Sequence, residues 1–134
     1  MTQETPTRTV LLVRCGELAP PLKKAGFEPQ SFRDPSSALA RSKKVQPRLT
    51  LIRSGDLEGF DLPTFIKDLR REQPFTDVLL WEPEGRATVV RTGLKAGAKD
   101  VVLGEDAEEV VQAITEIVAA QQFLPKMLEI EKRP

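Results

Sequence analysis

Four short apolar runs in this 134-residue chain end on residues able to do chemistry. Thr9–Val13 runs out on Arg14 and Cys15, and Pro47–Ile52 on Arg53, Ser54 and, slightly later, Asp56. Phe75–Trp81 ends on Glu82, and Asp100–Leu103 on Gly104 and Glu105. In an open α/β sheet the C-terminal ends of the strands are where ligands and reactions sit. Two guanidiniums and one carboxylate gathered there suit an ion pair or an anion site. Glu82 is expected to face Arg53, with Arg14 nearby, and to fill the space between the strand ends; the same basic pocket could instead hold an anion such as phosphate.

Other chemistries lack their residues. The chain has no His, which removes His-based triads, imidazole proton shuttles and most zinc sites. No nucleophile–base pair or metal constellation is visible, so the chain reads as a non-enzyme without a cofactor. The lone Cys15 cannot form an internal disulfide and points to a reducing, cytoplasmic setting. It reads as a small buried hydrophobe, with redox sensing beside Arg14 as the sharper alternative.

The elements that must position these residues follow from pattern. Thr-Val-Leu-Leu-Val at 9–13 is apolar and β-branched, as a strand buried on both faces requires. A short helix over Leu18–Ala25 stops at Gly26. Phe27–Phe32 carries Pro29 and suits a sheet edge. Asp34-Pro35 caps a helix reaching about Lys44, with Ala38 and Leu39 inward. The third strand is Pro47–Ile52. Leu62, Phe65, Ile66 and Leu69 form one apolar helical face capped by Asp61. Phe75–Trp81 is the fourth strand, and Arg86–Ala96 a helix with Ala87, Val90 and Leu94 inward, weakened by Gly93 by about 1 kcal/mol. Asp100–Leu103 is the fifth strand. Asp106 and Glu109 start a last helix whose apolar face is Val110, Ile114, Ile117 and Val118, and Pro125 should end or kink it.

Five strands alternating with five helices imply parallel pairing with right-handed crossovers. The expected fold is flavodoxin-like: a doubly wound (βα)5 α/β sheet of order 2-1-3-4-5. Residues 1–8 read as a flexible N-terminus, 9–122 as the domain, and 123–134 as a tail or linker. No apolar run approaches the roughly 20 residues of a membrane span. Charge is zero overall but uneven: residues 7–53 hold ten Lys/Arg and three Asp/Glu (+7), and residues 99–118 one Lys and six Asp/Glu (−5). Such a dipole can steer a charged partner or favour head-to-tail contacts. No basic motif is interleaved with aromatics, so direct nucleic-acid binding is not expected.

In that order the chain resembles a response-regulator receiver domain over roughly residues 8–121. Val10-Leu11-Leu12-Val13 resembles the family's first strand and Lys24-Ala25-Gly26-Phe27 the end of its first helix. Leu94-Lys95-Ala96-Gly97-Ala98-Lys99-Asp100 resembles its turn into strand 5. The resemblance places the acidic metal-holding pair on Arg14 and Cys15, the phosphoacceptor Asp on Arg53, the Thr/Ser after strand 4 on Glu82, the Lys after strand 5 on Gly104, and the switch aromatic on Val101. All depart from the family pattern. A shift of one residue puts Ser54 at the acceptor position, which is still not Asp.

Aspartyl phosphorylation needs a carboxylate nucleophile and a hard cation held by oxygens. Exchanging three carboxylates for two guanidiniums and a thiol moves the local charge from about −3 to about +2. Each Arg near 4 Å would then repel a divalent ion by several kcal/mol at an effective dielectric near 20. The resemblance therefore implies a degenerate pseudo-receiver: an N-terminal regulatory module of a two-component-type regulator, acting through a protein partner, an output domain or dimerisation. The alternatives are a phosphoacceptor displaced to Asp56 and an anion or small-ligand sensor between strands 1 and 3. The family's usual interaction face, helix 4–strand 5–helix 5, would here mix Arg86, Arg91 and Lys95 with Val101, Glu105, Glu108, Glu109 and Glu116, which suits a two-fold contact.

Overall fold

The computed structural model describes residues 8–55 and 61–132. Asp56, the candidate displaced acceptor, lies outside the described residues, as do residues 1–7 and 133–134. The elements run β1 (Thr9–Val13), α1 (Ala19–Lys24), β2 (Glu28–Phe32), α2 (Pro35–Val45), β3 (Leu49–Arg53), α3 (Leu62–Glu72), β4 (Asp77–Trp81), α4 (Ala87–Ala96), β5 (Asp100–Val102) and α5 (Ala107–Lys132). One turn of 3-10 helix, Gly16–Leu18, precedes α1. The five strands are parallel, in the order β2-β1-β3-β4-β5. The expected topology is the observed one.

The sheet separates two apolar layers. Val10, Leu12, Leu49, Leu51, Leu79 and Trp81 pack towards Leu18 and Leu22 on one side and Val110 and Ile114 of α5. Val13, Ile52, Val78 and Leu80 pack towards Ala38 of α2, Phe65, Ile66 and Leu69 of α3, and Ala96 of α4. Alternate residues of each central strand serve opposite layers, so these strands read as unbroken apolar runs. β2 shows the edge solution. Glu28 donates its N–H to Arg8 and Phe32 accepts from Arg14 N–H, so the backbone at 28, 30 and 32 faces β1. Pro29 and Ser31 therefore face outward, where a missing N–H costs no ladder bond.

Local chemistry sets the helix starts. Asp34 Oδ1 accepts from Ser36 N at 3.1 Å with Pro35 at the first helical position. Asp106 Oδ1 accepts from Glu108 N at 2.9 Å. Asp61 holds Thr64 Oγ1 at 2.6 Å and makes no side-chain bond to the α3 backbone. Gly97, at φ +123°, closes α4 in a conformation that favours glycine.

Two expectations need correction. The α4 residues turned inward are Val89, Gly93 and Ala96, while Ala87 and Leu94 are exposed and Val90 is half-exposed. Gly93 is the reason. A Cβ there would meet Leu80 Cδ2 at 2.5 Å, so α4 rests its glycine against β4 and rotates its larger apolar residues outward. Pro125 also does not stop the last helix: α5 continues to Lys132, although the proline removes one backbone donor.

Candidate functional site

The order β2-β1-β3 places the topological switch point between the exits of β1 and β3. Arg14 and Arg53 stand there, and Glu82 follows one strand further on. Arg14 sits at φ +60°, an uncommon conformation for a residue with a Cβ. Its N–H donates to Phe32 O at 2.9 Å and its Nε–H to Arg33 O at 3.1 Å, which ties the β1 exit to β2. Cys15 turns the other way. It is fully buried in the α1/α5 layer, and its thiol donates to Leu51 O at 3.6 Å. Burial, aided by Glu17, raises its pKa to about 12, so it stays a neutral thiol and not a ligand or nucleophile.

Arg53 is held by two contacts. Its Nη1 donates to Glu17 Oε2 at 3.0 Å, and its guanidinium lies over the Trp81 ring, 4.9 Å from the centroid. Trp81 donates its indole N–H to Gly104 O at 2.7 Å. Glu17, Arg53, Trp81 and Gly104 thus form a chain of contacts across the C-terminal edge of the sheet. Gly104, at φ +99°, contributes only backbone, where the family resemblance expects a lysine ammonium.

Glu82 is the centre of the site. Its side chain is 0% exposed. Oε1 accepts from Ser54 Oγ at 2.6 Å and from Arg86 Nε and Nη2 at 3.0 and 2.7 Å. Oε2 accepts from Arg86 N, the residue that caps α4, at 2.9 Å. Burial alone would raise the carboxyl pKa. The hydrogen bonds from Arg86 and Ser54 outweigh it and lower the value from 4.5 to about 2. Glu82 is therefore ionised at neutral pH.

This arrangement overturns the expected Glu82–Arg53 pair. Among the described residues no salt bridge joins them; Arg86 takes Glu82, and Glu17 takes Arg53. The reason lies in the strand register. Arg53 is opposite Trp81, so the next residue, Ser54, meets Glu82. Ser54 N and Oγ both donate to Trp81 O as well, at 2.9 and 3.2 Å. The residue facing Glu82 is thus the one reached by the one-residue shift. Arg86, named above for the interaction face, also belongs to this site, with its side chain 48% exposed. The sequence names Ser54 at this strand exit but not Arg86 as its companion, although the Glu82/Arg86 spacing of four is a usable signal.

A cavity of about 450 Å³ opens beside this cluster, lined by Arg14, Arg53, Arg86, Glu82, Glu84 and Glu105 among others. Among the described residues its lining carries three guanidiniums and three carboxylates, where the sequence led to the expectation of a basic pocket.

No protein-family model and no curated protein matches the chain. Solved structures do. NtrX from Brucella abortus superposes with a TM-score of 0.77 at 18% identity, over 91% of this chain and 29% of that one. A putative response regulator from Chloroflexus aurantiacus gives 0.71 at 24% identity, over 84% and 98% of the two chains. The chemotaxis response regulator CheY4 of Vibrio cholerae gives 0.71 at 19% identity, over 83% and 98%. The fold is that of a response-regulator receiver. The chain spans under a third of the NtrX chain, and nearly all of its length is the receiver-like unit.

Among the described residues, the positions to which the resemblance assigns the metal-holding acids carry no group that fits Mg²⁺. Arg14 and Arg53 supply no lone pair, and the Cys15 thiol is turned into the core and held protonated. The remaining residues named for the interaction face, Arg91, Lys95, Glu105, Glu108, Glu109 and Glu116, are all exposed, and Val101 is half-buried against the α2–α4 layer. None of the described helices is long and apolar enough to cross a membrane.

Proposed function

We propose that the chain is a phosphorylation-independent pseudo-receiver, a non-catalytic signalling module that works by protein contact. The observation that carries this reading is Glu82. A receiver switches when a charge appears at the strand exits, and here an anionic group is already built in. It is buried, satisfied by Ser54 and Arg86, and bonded to the backbone at the start of α4. One conformation of α4 is thereby held without phosphate or metal.

The surface that α4 presents supports an interaction role. Leu94 of α4 and Leu103, just after β5, are 46% and 57% exposed, with half-buried Val90 on α4 and Val101 on β5. Arg91 and Lys95 lie on the α4 side and Glu105, Glu108 and Glu109 on the α5 side. An apolar centre with charges of opposite sign to either side is self-complementary under a two-fold axis. The partner is a second copy, another protein or an output domain.

Sedimentation with and without Mg²⁺ and beryllofluoride tests the proposal. The expected mass is the same in both conditions, and Leu94→Glu lowers it if the module is a dimer through this face. A mass that changes on adding Mg²⁺ and beryllofluoride would defeat the reading.

A further inference from the structure

Phe75 is 97% exposed, yet it stands in a loop that cannot fold it away. The next residue, Thr76, is buried. It donates N–H to Gln73 O at 3.1 Å and Oγ1 to Pro47 O at 3.0 Å, and accepts from Arg70 Nη1 at 3.0 Å. With Pro74 on its other side, the backbone that carries the ring is fixed at the N-terminal end of the sheet. A fixed backbone lowers the entropy lost when a side chain docks, and buried aromatics dominate contact energies. The surrounding end is basic: α2, α3 and α4 finish on Lys43 and Lys44, Arg70 and Arg71, and Lys95. It stays net positive after Lys43 pairs with Glu72, Arg71 with Asp68 and Lys99 with Asp77.

The chain also carries a shallow groove of about 500 Å³ between α1 and α5, whose floor is Pro21, Ala25, Val111 and Thr115. On its lining Glu108 and Glu116 outnumber Lys24. An apolar groove with an acidic rim is the complement of an exposed aromatic with a basic rim. The two surfaces lie on different parts of the molecule, so one copy cannot bring its own pair together.

We propose that Phe75 of one copy docks into the α1–α5 groove of the next, a head-to-tail contact between copies of this chain. It is heterologous, so it leaves a free Phe75 at one end and a free groove at the other, and chains of copies grow with concentration. It is distinct from the two-fold contact through α4 and β5, and it does not depend on the phosphorylation reading.

Two full-length variants separate these contacts. Phe75→Ala removes the anchor and keeps the groove; Thr115→Arg fills the groove and keeps the anchor, at an exposed α5 position. With Leu94→Glu added to every chain to remove the two-fold contact, fluorescently labelled F75A is titrated with T115R, with F75A, and with the F75A/T115R double variant, and T115R is titrated with itself. The expected result is binding in the F75A–T115R pairing alone, with every other pairing weaker by roughly thirtyfold or more, the loss expected on removing an anchor residue. Added salt weakens the productive pairing. Equal binding in all pairings would show a contact that uses neither Phe75 nor the groove, and no binding between F75A and T115R would remove the head-to-tail contact altogether; either outcome overturns the proposal. Circular dichroism of each variant confirms that loss of binding is not loss of fold.

Discussion

Ser54 Oγ donates to Glu82 Oε1 at 2.6 Å, joining the exits of β3 and β4 through two buried side chains. Arg86 closes the carboxylate from the other side with two side-chain bonds and one backbone bond. The negative charge of this site belongs to the chain itself, and it bonds the backbone at the start of α4.

Removing that carboxylate should be costly. Glu82→Ala leaves the Arg86 backbone N–H and guanidinium without their buried acceptor. Breaking one side of a buried pair costs about 3–5 kcal/mol, although Arg86 is half-exposed and water can recover part of this, so a loss of about 2–3 kcal/mol is expected. Urea denaturation gives the value directly. Arg86→Ala should cost less, because Glu82 keeps the Ser54 hydroxyl and the residue 86 backbone N–H as donors, and the double variant should cost less than the sum.

The same residue sets an acid limb. The folded pKa of Glu82 lies near 2, below its ordinary 4.5. The unfolded chain therefore binds the proton first as pH falls. The stability contributed by ionised Glu82 is fully present above about pH 4.5 and is lost as pH falls towards 2. The shift corresponds to about 3 kcal/mol. Unfolding free energies between pH 6 and pH 2 should fall more steeply for the parent chain than for Glu82→Gln, which lacks the titration.

Restoring a single acid at the β3 exit should not restore phosphorylation. Arg53→Asp supplies a carboxylate but leaves Arg14 in place and Cys15 buried, so the cation needed at the phosphoryl oxygens still lacks its ligands. Incubation with acetyl phosphate and Mg²⁺ should leave the intact mass of this variant unchanged. The variant also loses the Arg53 stack on Trp81, so its tryptophan fluorescence, from the sole Trp, should differ from the parent.

Gly93 gives a test of packing against propensity. Helix propensity alone predicts that Gly93→Ala stabilises α4 by about 1 kcal/mol. The Cβ would sit 2.5 Å from Leu80 Cδ2, in a fully buried side chain with little room to yield. Overpacking of this kind costs about 1–3 kcal/mol, so the variant should be less stable than the parent by about 1 kcal/mol. Thermal unfolding of the two chains decides the sign.

The sheet and its order were legible because each central strand is an unbroken apolar run and each strand is followed by a helix signal. The site was legible only in part. Arg14, Cys15, Arg53, Glu82 and Gly104 were placed at the strand exits, but which of them touch was not. Pairing at strand ends depends on register, and a shift of one residue exchanges Arg53 for Ser54 as the neighbour of Glu82. The inward face of α4 failed for a related reason. Periodicity favours the larger residues Val90 and Leu94 as core, whereas the tight approach of α4 to Leu80 selects the smaller Gly93 and Ala96. Phe75 was read as the start of β4; the strand begins at Asp77, after Thr76 has turned the chain and left the ring outside.

The most direct test of the account is a titration of the parent chain with Mg²⁺ and beryllofluoride, followed by the fluorescence of Trp81. The ring touches Arg53 and bonds to Gly104, so binding of either ligand at the strand exits must disturb it. The account predicts a flat response at every concentration. A saturable change on adding Mg²⁺, deepened by beryllofluoride, would mean a working acid pocket and would contradict the assignment of Glu82 as the built-in anion of this site.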